Sequence, residues 1–277
     1  MSDFSFLDNV AGIHSKQPWF VLGAAQFFTH LTRENPVVSH FYCFDAGHAA
    51  TPTIAIPDGC IDLLFDCDES APSAWVCGTT LAARSVQFNP HHHYFGVRFV
   101  PGAFPDFLQV SAQELIDQQH PLLEVVHGAD TLFEHVVTAR TFADQITAVN
   151  RFLRDKSARR PAPLTTQIVA KICQHKGNIQ IQDLERYSGF SARTLQRQFR
   201  SDLGLTPKGF SRAIRCQSAI YDIHHRENII FSDLACDLGF SDQSHFLREF
   251  KKLVSTTPLD YQSRVKHQTY HQRLHCY

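Results

Sequence analysis

The chain has 277 residues and 43% hydrophobic content, enough for two domains with a core each. No apolar run approaches the length needed to cross a bilayer, and the opening MSDFSFLDNV lacks the charged start and long apolar stretch of a secretory signal, so a cytoplasmic chain without a membrane partner is expected. A formal net charge of -1 hides an asymmetry: residues 1–150 carry 5 Lys and Arg against 16 Asp and Glu, residues 151–163 carry 5 against 1, and residues 164–277 carry 16 against 10. That imbalance points to a polyanionic partner for the back half alone.

Residues 1–110 read mainly as short strands. The runs 41–45, 53–56, 60–66, 74–77, 85–88 and 94–100 are rich in aromatic, Ile, Val and Cys residues, and Gly, Pro and Asp turns such as Asp58-Gly59 separate them. This pattern predicts a small β-barrel or sandwich. Within 60–66, Ile61, Leu63 and Phe65 alternate with Asp62 and Asp66, although Leu64 beside Leu63 breaks the alternation. Eight cysteines lie scattered without a Cys-x-x-Cys pair, so buried thiols are expected rather than a zinc ribbon or a disulfide framework.

Two groups of residues in this half bear on chemistry. His91 and His93 would share one face of a strand and are candidate metal ligands with Cys60, Cys77 or Asp62; the alternative is a solvated loop cluster, because no His-x-His-plus-Glu pattern accompanies them. Arg98, between Val97 and Phe99, is a rim charge, a buried clamp for Asp58 or Asp62, or an anchor for a ligand. No Gly-rich phosphate loop, Gly-x-Ser-x-Gly elbow or His-Glu-x-x-His helix occurs. No catalytic residue and no cofactor is expected.

From 103 to about 155 the pattern turns helical. Phe142, Ile146, Val149, Phe152 and Leu153 form a stripe at steps of three and four, preceded by Leu122, Leu123, Val125 and Val126 and then by Leu132, Phe133, Val136 and Val137. Such stripes either pack back onto the barrel or join two copies, which makes residues 112–153 a candidate homodimer surface. The segment 154–163, RDKSARRPAP, is charged and proline-bearing and reads as a linker, with Arg159 and Arg160 available for non-specific phosphate attraction.

The back half contains one unit twice. GFSARTLQRQFRSDLGLTP (189–207) and GFSDQSHFLREFKKLVSTTP (239–258) share their opening Gly-Phe-Ser at an offset of 50, and after one extra residue Leu195, Arg197, Phe199, Thr206, Pro207 and Phe210 match Phe246, Arg248, Phe250, Thr257, Pro258 and Tyr261 at an offset of 51. In the first copy Ser191 is an N-cap, and Ala192, Leu195, Phe199 and Leu203 make the inward stripe of a helix that Gly204 and Pro207 stop. Arg193, Gln196, Arg197 and Arg200 line the opposite ridge. The second ridge presents Ser244, Leu247, Arg248 and Lys251, flanked by Gln243 and His245, with Leu247 placed for a thymine methyl. Long basic and amide side chains on a helix suit phosphates and base edges in a major groove. Pro207 opens a long helix that ends near His224 and His225, a rod of about 30 Å at 1.5 Å per residue. The polar tail HQTYHQRLHCY is expected to fray, although its His residues allow weak metal chelation.

At these residues, from about 164 to 266, the chain resembles the AraC/XylS family of bacterial transcription regulators, LGFSDQSHFLREFKK being the most recognisable stretch. The resemblance implies two helix-turn-helix units joined by a long helix. Two departures stand out. Glu185 occupies a position where the family usually has a small residue, as Ala235 does in the second copy, and is expected to loosen packing on the first recognition helix. Ser255 replaces the terminating Gly204 of the first copy, at a strain of about 1 kcal/mol if left-handed. In the front half PDGCIDLLFD (57–66), Cys77-Gly78-Thr79 and GVRFVPGAF (96–104) resemble the amino-terminal domain of a poorly characterised subset of the same family, which implies a sensory or dimerising module with a cupin-like architecture.

The expected fold is a two-domain α+β chain: a sheet-rich domain over 1–153 (β-rich to about 110, helical 103–153), a linker over 154–163, an all-α DNA-binding domain over 164–266 and a tail over 267–277. The expected activity is sequence-specific binding of double-stranded DNA at an asymmetric site. A small-molecule effector at Asp58, Asp62 and Arg98 or a dimer contact would modulate it, and RNA polymerase would be a partner of an activator. The alternative is a metal-dependent, cupin-like enzyme fused to a DNA-binding module.

Overall fold

A computed structural model of the chain describes residues 17–32, 35–47, 53–154, 156, 158–159, 162–266 and 268–276. The opening MSDFSFLDNV and Arg160 lie outside the described residues. Helix α1 (Pro18–Gly23) leads into strands β1 (Ala24–Leu31), β2 (Val38–Ala46), β3 (Thr53–Ala55), β4 (Asp62–Asp66), β5 (Ser73–Cys77), β6 (Arg84–Val86), β7 (His93–Phe99), β8 (Phe104–Pro105) and β9 (Gln119–Pro121). Helices α2 (Leu122–Val125), α3 (Asp130–Val137) and α4 (Phe142–Arg154) follow, then the short strand β10 (Ala158–Arg159). The remainder is helical: α5 (Pro163–Gln174), α6 (Ile181–Ser188), α7 (Ala192–Leu203), α8 (Pro207–His225), α9 (Phe231–Asp237), α10 (Gln243–Val254), α11 (Pro258–Lys266) and α12 (Gln268–Arg273), closed by strand β11 (Leu274–Cys276). The sheet-rich front and the helical back stand as the sequence predicts.

The main sheet has the order β11-β1-β2-β7-β4-β5-β9, and two two-stranded ladders, β3 with β6 and β8 with β10, flank it. Side chains alternate across a strand, and here both faces are covered. Phe41, Leu63, Phe65, Phe95, Val97 and Phe99 face Leu122, Val125, Leu132, Val136, Val149 and Leu153 of the helical layer. Tyr42, Phe44, Leu64 and Tyr94 face the other way, into a core shared with Phe20 and Phe27. The irregular pair Leu63-Leu64 is thereby explained, since adjacent residues of one strand enter two different cores.

The core under the second face is completed from the back half. Ile220 and Ile223 of α8, Phe246 and Phe250 of α10, and Tyr261 and Val265 of α11 pack into it with Trp19 and Phe20. The indole N–H of Trp19 donates to the carbonyl of Val254 at 3.0 Å, the Gln217 amide donates to that of Pro57 at 3.0 Å, and the Ala83 N–H donates to that of Lys252 at 3.2 Å. Rod helix α8 therefore has buried residues on almost every side, Gln217 and Asp222 among them. The two domains are one packed body.

Three expectations are corrected. Residues 103–121 are not helical: Pro101, Gly102 and Pro105 interrupt the bonding a helix needs, and the chain runs through β8, turns and β9 before α2 begins. The apolar stripes of 122–153 pack largely onto their own sheet, with Leu123 left exposed. The tail does not fray, because β11 pairs in parallel with β1, Leu274 opposite Phe27 and Cys276 opposite Thr29, while Tyr270 is buried. The described parts of the expected linker are held too, with β10 on β8 and the Asp202 carboxylate accepting from the Ala162 N–H at 3.1 Å, as it does from the Thr165 hydroxyl just beyond at 2.6 Å.

Candidate nucleic-acid interface

Each repeated unit is a positioning helix, a tight turn and an exposed helix. In the first unit Gln180 and Asp183 form a capping box on α6, and Gly189 ends that helix in the left-handed region. The Ser191 hydroxyl then caps α7, accepting from the Thr194 N–H at 3.4 Å. In the second unit the cap falls on Asp242, whose carboxylate accepts from the His245 N–H at 2.7 Å. The His245 N–H, the Ser241 hydroxyl and the neighbouring Arg248 hold that carboxyl below its ordinary range. Both exposed helices are 12 residues long and both end left-handed, at Gly204 (φ 71) and at Ser255 (φ 66).

Burial divides each helix into two sides. Leu195, Phe199 and Leu203 are buried against α5 and α8, and Phe246, Phe250 and Leu253 are buried in the core shared with the sheet. On the other side Arg193, Gln196, Arg197 and Arg200 of α7 are exposed, as are Gln243, Ser244, Leu247, Arg248 and Lys251 of α10. The side chains of Arg193, Gln196 and Arg197 make no hydrogen bond or ion pair among the described residues. Leu247 is 37% exposed, large for an unpaired leucine on a helix of basic and polar residues.

The 19 residues of α8 join the units; at about 1.5 Å per residue they span about 28 Å. Two contacts fix how the units meet. Arg215 of α8 donates to the Gly177 carbonyl in the first unit at 3.0 Å and lies over the Phe240 ring of the second, 5.1 Å from its centroid. Arg212 pairs with Glu249 of α10 at 2.5 Å, and this ion pair overcomes desolvation to keep the Glu249 carboxyl low. Glu185, expected to loosen the first unit, instead accepts from the Ala192 N–H at 2.5 Å and so serves as a second cap on α7.

In the front half Arg98 is a clamp. Its Nε and Nη2 donate to the two oxygens of Asp62 at 2.9 and 2.6 Å, and its Nη1 lies 3.1 Å from Asp58 Oδ2. Both Arg98 and Asp58 are buried. The His expectation fares differently. His91 and His92 lie in the turn before β7, His92 Nδ1 is 2.9 Å from Asp66, and His93 Nδ1 is 2.8 Å from Asp45. Asp62 sits opposite Arg98 at the far end of β7 from His93, with Cys77 across from it on β5. The proposed metal donors do not converge, and no group of three or more His, Cys, Asp or Glu placed to hold a metal occurs among the described residues. No helix among them is long and apolar enough to cross a membrane.

Comparison with known proteins matches the two halves separately. A profile described as a helix-turn-helix domain covers residues 184–264, and one described as a domain of unknown function covers residues 35–121. The HTH-type transcriptional activator RhaS of Escherichia coli O157:H7 (strain EC4115 / EHEC) is 36% identical over 70 residues, 25% of this chain and 25% of that protein. The match thus spans a quarter of the length of this relative. Among solved structures, ToxT from Vibrio cholerae aligns over 87% of this chain and 97% of its own at 14% identity and a TM-score of 0.44. The carboxy-terminal domain of AraT from Geobacillus stearothermophilus aligns over 38% of this chain and 87% of its own at 20% identity and a TM-score of 0.36. With a helix-turn-helix unit that occurs twice on a rod helix and a matching helix-turn-helix profile over residues 184–264, the back of the chain carries a helix-turn-helix domain similar to those of AraC-type transcription regulators, and its front carries a domain of unknown function.

Proposed function

We propose that the chain is a sequence-specific DNA-binding transcription regulator that lays α7 and α10 into successive major-groove segments on one side of a duplex. The observation that carries this reading is the shared design of the two helices, each burying an apolar back and offering long basic and polar side chains on its free side. Arg197 and Arg248 occupy equivalent positions and are the residues proposed to read bases. Because the remaining ridge residues differ between copies, the site is asymmetric and covers about 20 base pairs, two turns of duplex. Operation in the cytoplasm, and contact with RNA polymerase where the protein activates, accompany this role.

The front domain is proposed to bias DNA binding through a small-molecule effector, since it shares its core with α8 and α10. A change in the sheet reaches the second reading helix without crossing a flexible joint. The experiment is a salt titration of the full chain on its selected duplex. Six to ten phosphate contacts would lower affinity by about 10³-fold to 10⁵-fold between 50 and 200 mM salt; binding that ignores salt would overturn the reading.

A further inference from the structure

The Arg98 clamp holds two carboxylates to one guanidinium. Asp58 has its needs met: besides Arg98 it accepts from the Gln17 amide at 2.8 Å, the Cys60 N–H at 3.0 Å and the Thr79 hydroxyl at 3.4 Å. Asp62, by contrast, accepts only from Arg98 among the described residues, and its side chain is 14% exposed where that of Arg98 is 3%. Each carboxylate oxygen accepts two hydrogen bonds, so Asp62 has acceptor capacity left over.

That exposure opens into a cavity of about 480 Å³, which Asp58, Asp62 and Arg98 line together with Tyr42, Phe20 and Phe88. Its volume falls within the usual range for small-molecule sites. Arg84 and Asp117 at its edge offset one another, so the described wall carries one surplus negative charge. An uncompensated buried charge is costly, and the compensation open to it is a proton or a cation. Burial raises the Asp62 carboxyl, against the pull of Arg98. The walls also include the rings of Phe20 and Phe88, which suit an apolar body.

We propose that this cavity binds a small organic cation, a primary amine with an apolar or aromatic body, whose ammonium group donates to Asp62. This deepens the effector role proposed for the front domain by giving the effector a chemical class. Neither a carboxylate nor a phosphate fits, since Arg98 has no charge left to offer.

The test is calorimetric titration of the full chain with 2-phenylethylamine and with 1,4-diaminobutane, against 2-phenylethanol and 3-phenylpropionate as neutral and acidic counterparts. At least one amine should bind saturably and ten-fold or more tightly than the alcohol or the acid. Asp62→Asn should weaken that amine ten-fold or more. Gln87→Lys alters an exposed residue on the cavity wall and leaves the clamp intact, so it provides a folded variant whose added ammonium should weaken the same amine. Absence of binding by both amines, equal binding of the acid, or full amine affinity in either variant overturns the proposal. None of these readouts involves DNA. A DNA affinity unchanged by a bound amine would sink the effector role and leave the site standing.

Discussion

A Cβ placed on Gly59 would lie 2.7 Å from Cε2 of Phe210, so the turn before β4 rests its bare backbone on the ring of the rod helix. Gly59 also has φ 74, where a side chain is strained. Gly59→Ala is expected to destabilise the chain by about 1–3 kcal/mol, combining the left-handed penalty with overpacking. Urea unfolding of the full chain measures this. A midpoint equal to that of the parent would show that the front turn does not bear on α8.

Ser255 holds at φ 66 the position that Gly204 fills in the first unit. Ser255→Gly should therefore stabilise the chain, by about 0.5–1 kcal/mol once the greater freedom of glycine in the unfolded state is counted. The gain is expected as a higher urea midpoint without a change in slope. A loss of stability would mean that the serine side chain contributes a contact worth more than the strain.

Glu185 reaches across the turn to the first amide of α7. Removing it in Glu185→Ala is expected to cost about 0.5–2 kcal/mol, the usual range for an N-terminal cap. Hydrogen exchange at the Ala192 amide should quicken at the same time. Exchange that stays slow would place the cap elsewhere.

Thiol chemistry should separate two cysteines from the rest. Burial pushes the thiols of Cys43, Cys67, Cys77, Cys173 and Cys216 up to about 12, whereas Cys236 and Cys276 are exposed. At pH 8 a thiol reagent should modify these two quickly and the others only on unfolding. The sign of the linked stability follows: a raised folded value means that the neutral thiols stabilise fully below about pH 8.5, the unfolded value. That contribution is lost as pH rises toward about 12. Rapid modification of five or more thiols in the folded chain would contradict the packing described.

The helix-turn-helix units were legible because the opening Gly-Phe-Ser, the apolar stripe and the closing Thr-Pro recur at offsets of 50 and then 51, and every one of those signals is local. Strands β2, β4, β5 and β7 were legible for a similar reason, as runs of aromatic and β-branched residues between turn formers. Strand β1 was not, since AAQFFTHL has no clean alternation and a bulge between Ala24 and Phe27. Strand β11 could not be found at all: Leu274-His275-Cys276 is polar and short, and only pairing with a strand far away in sequence makes it one. Which partner Cys216, Ala219, Ile220 and Ile223 of α8 meet is a tertiary fact, and the partner includes the front sheet. Arg98 was read correctly as a candidate clamp from its place between apolar neighbours, whereas the surplus carboxylate appears only when three strands and their turns are assembled.

The most direct measurement is selection of duplexes from a random pool by the full chain, repeated with Arg197→Ala and with Arg248→Ala. The parent should select an asymmetric site, and each variant should lose sequence preference in one half of it, the two halves lying about one turn apart, with about 1–3 kcal/mol weaker binding at fixed salt. Variants that both select the parent's site with the parent's affinity would contradict the assignment of α7 and α10 as reading helices.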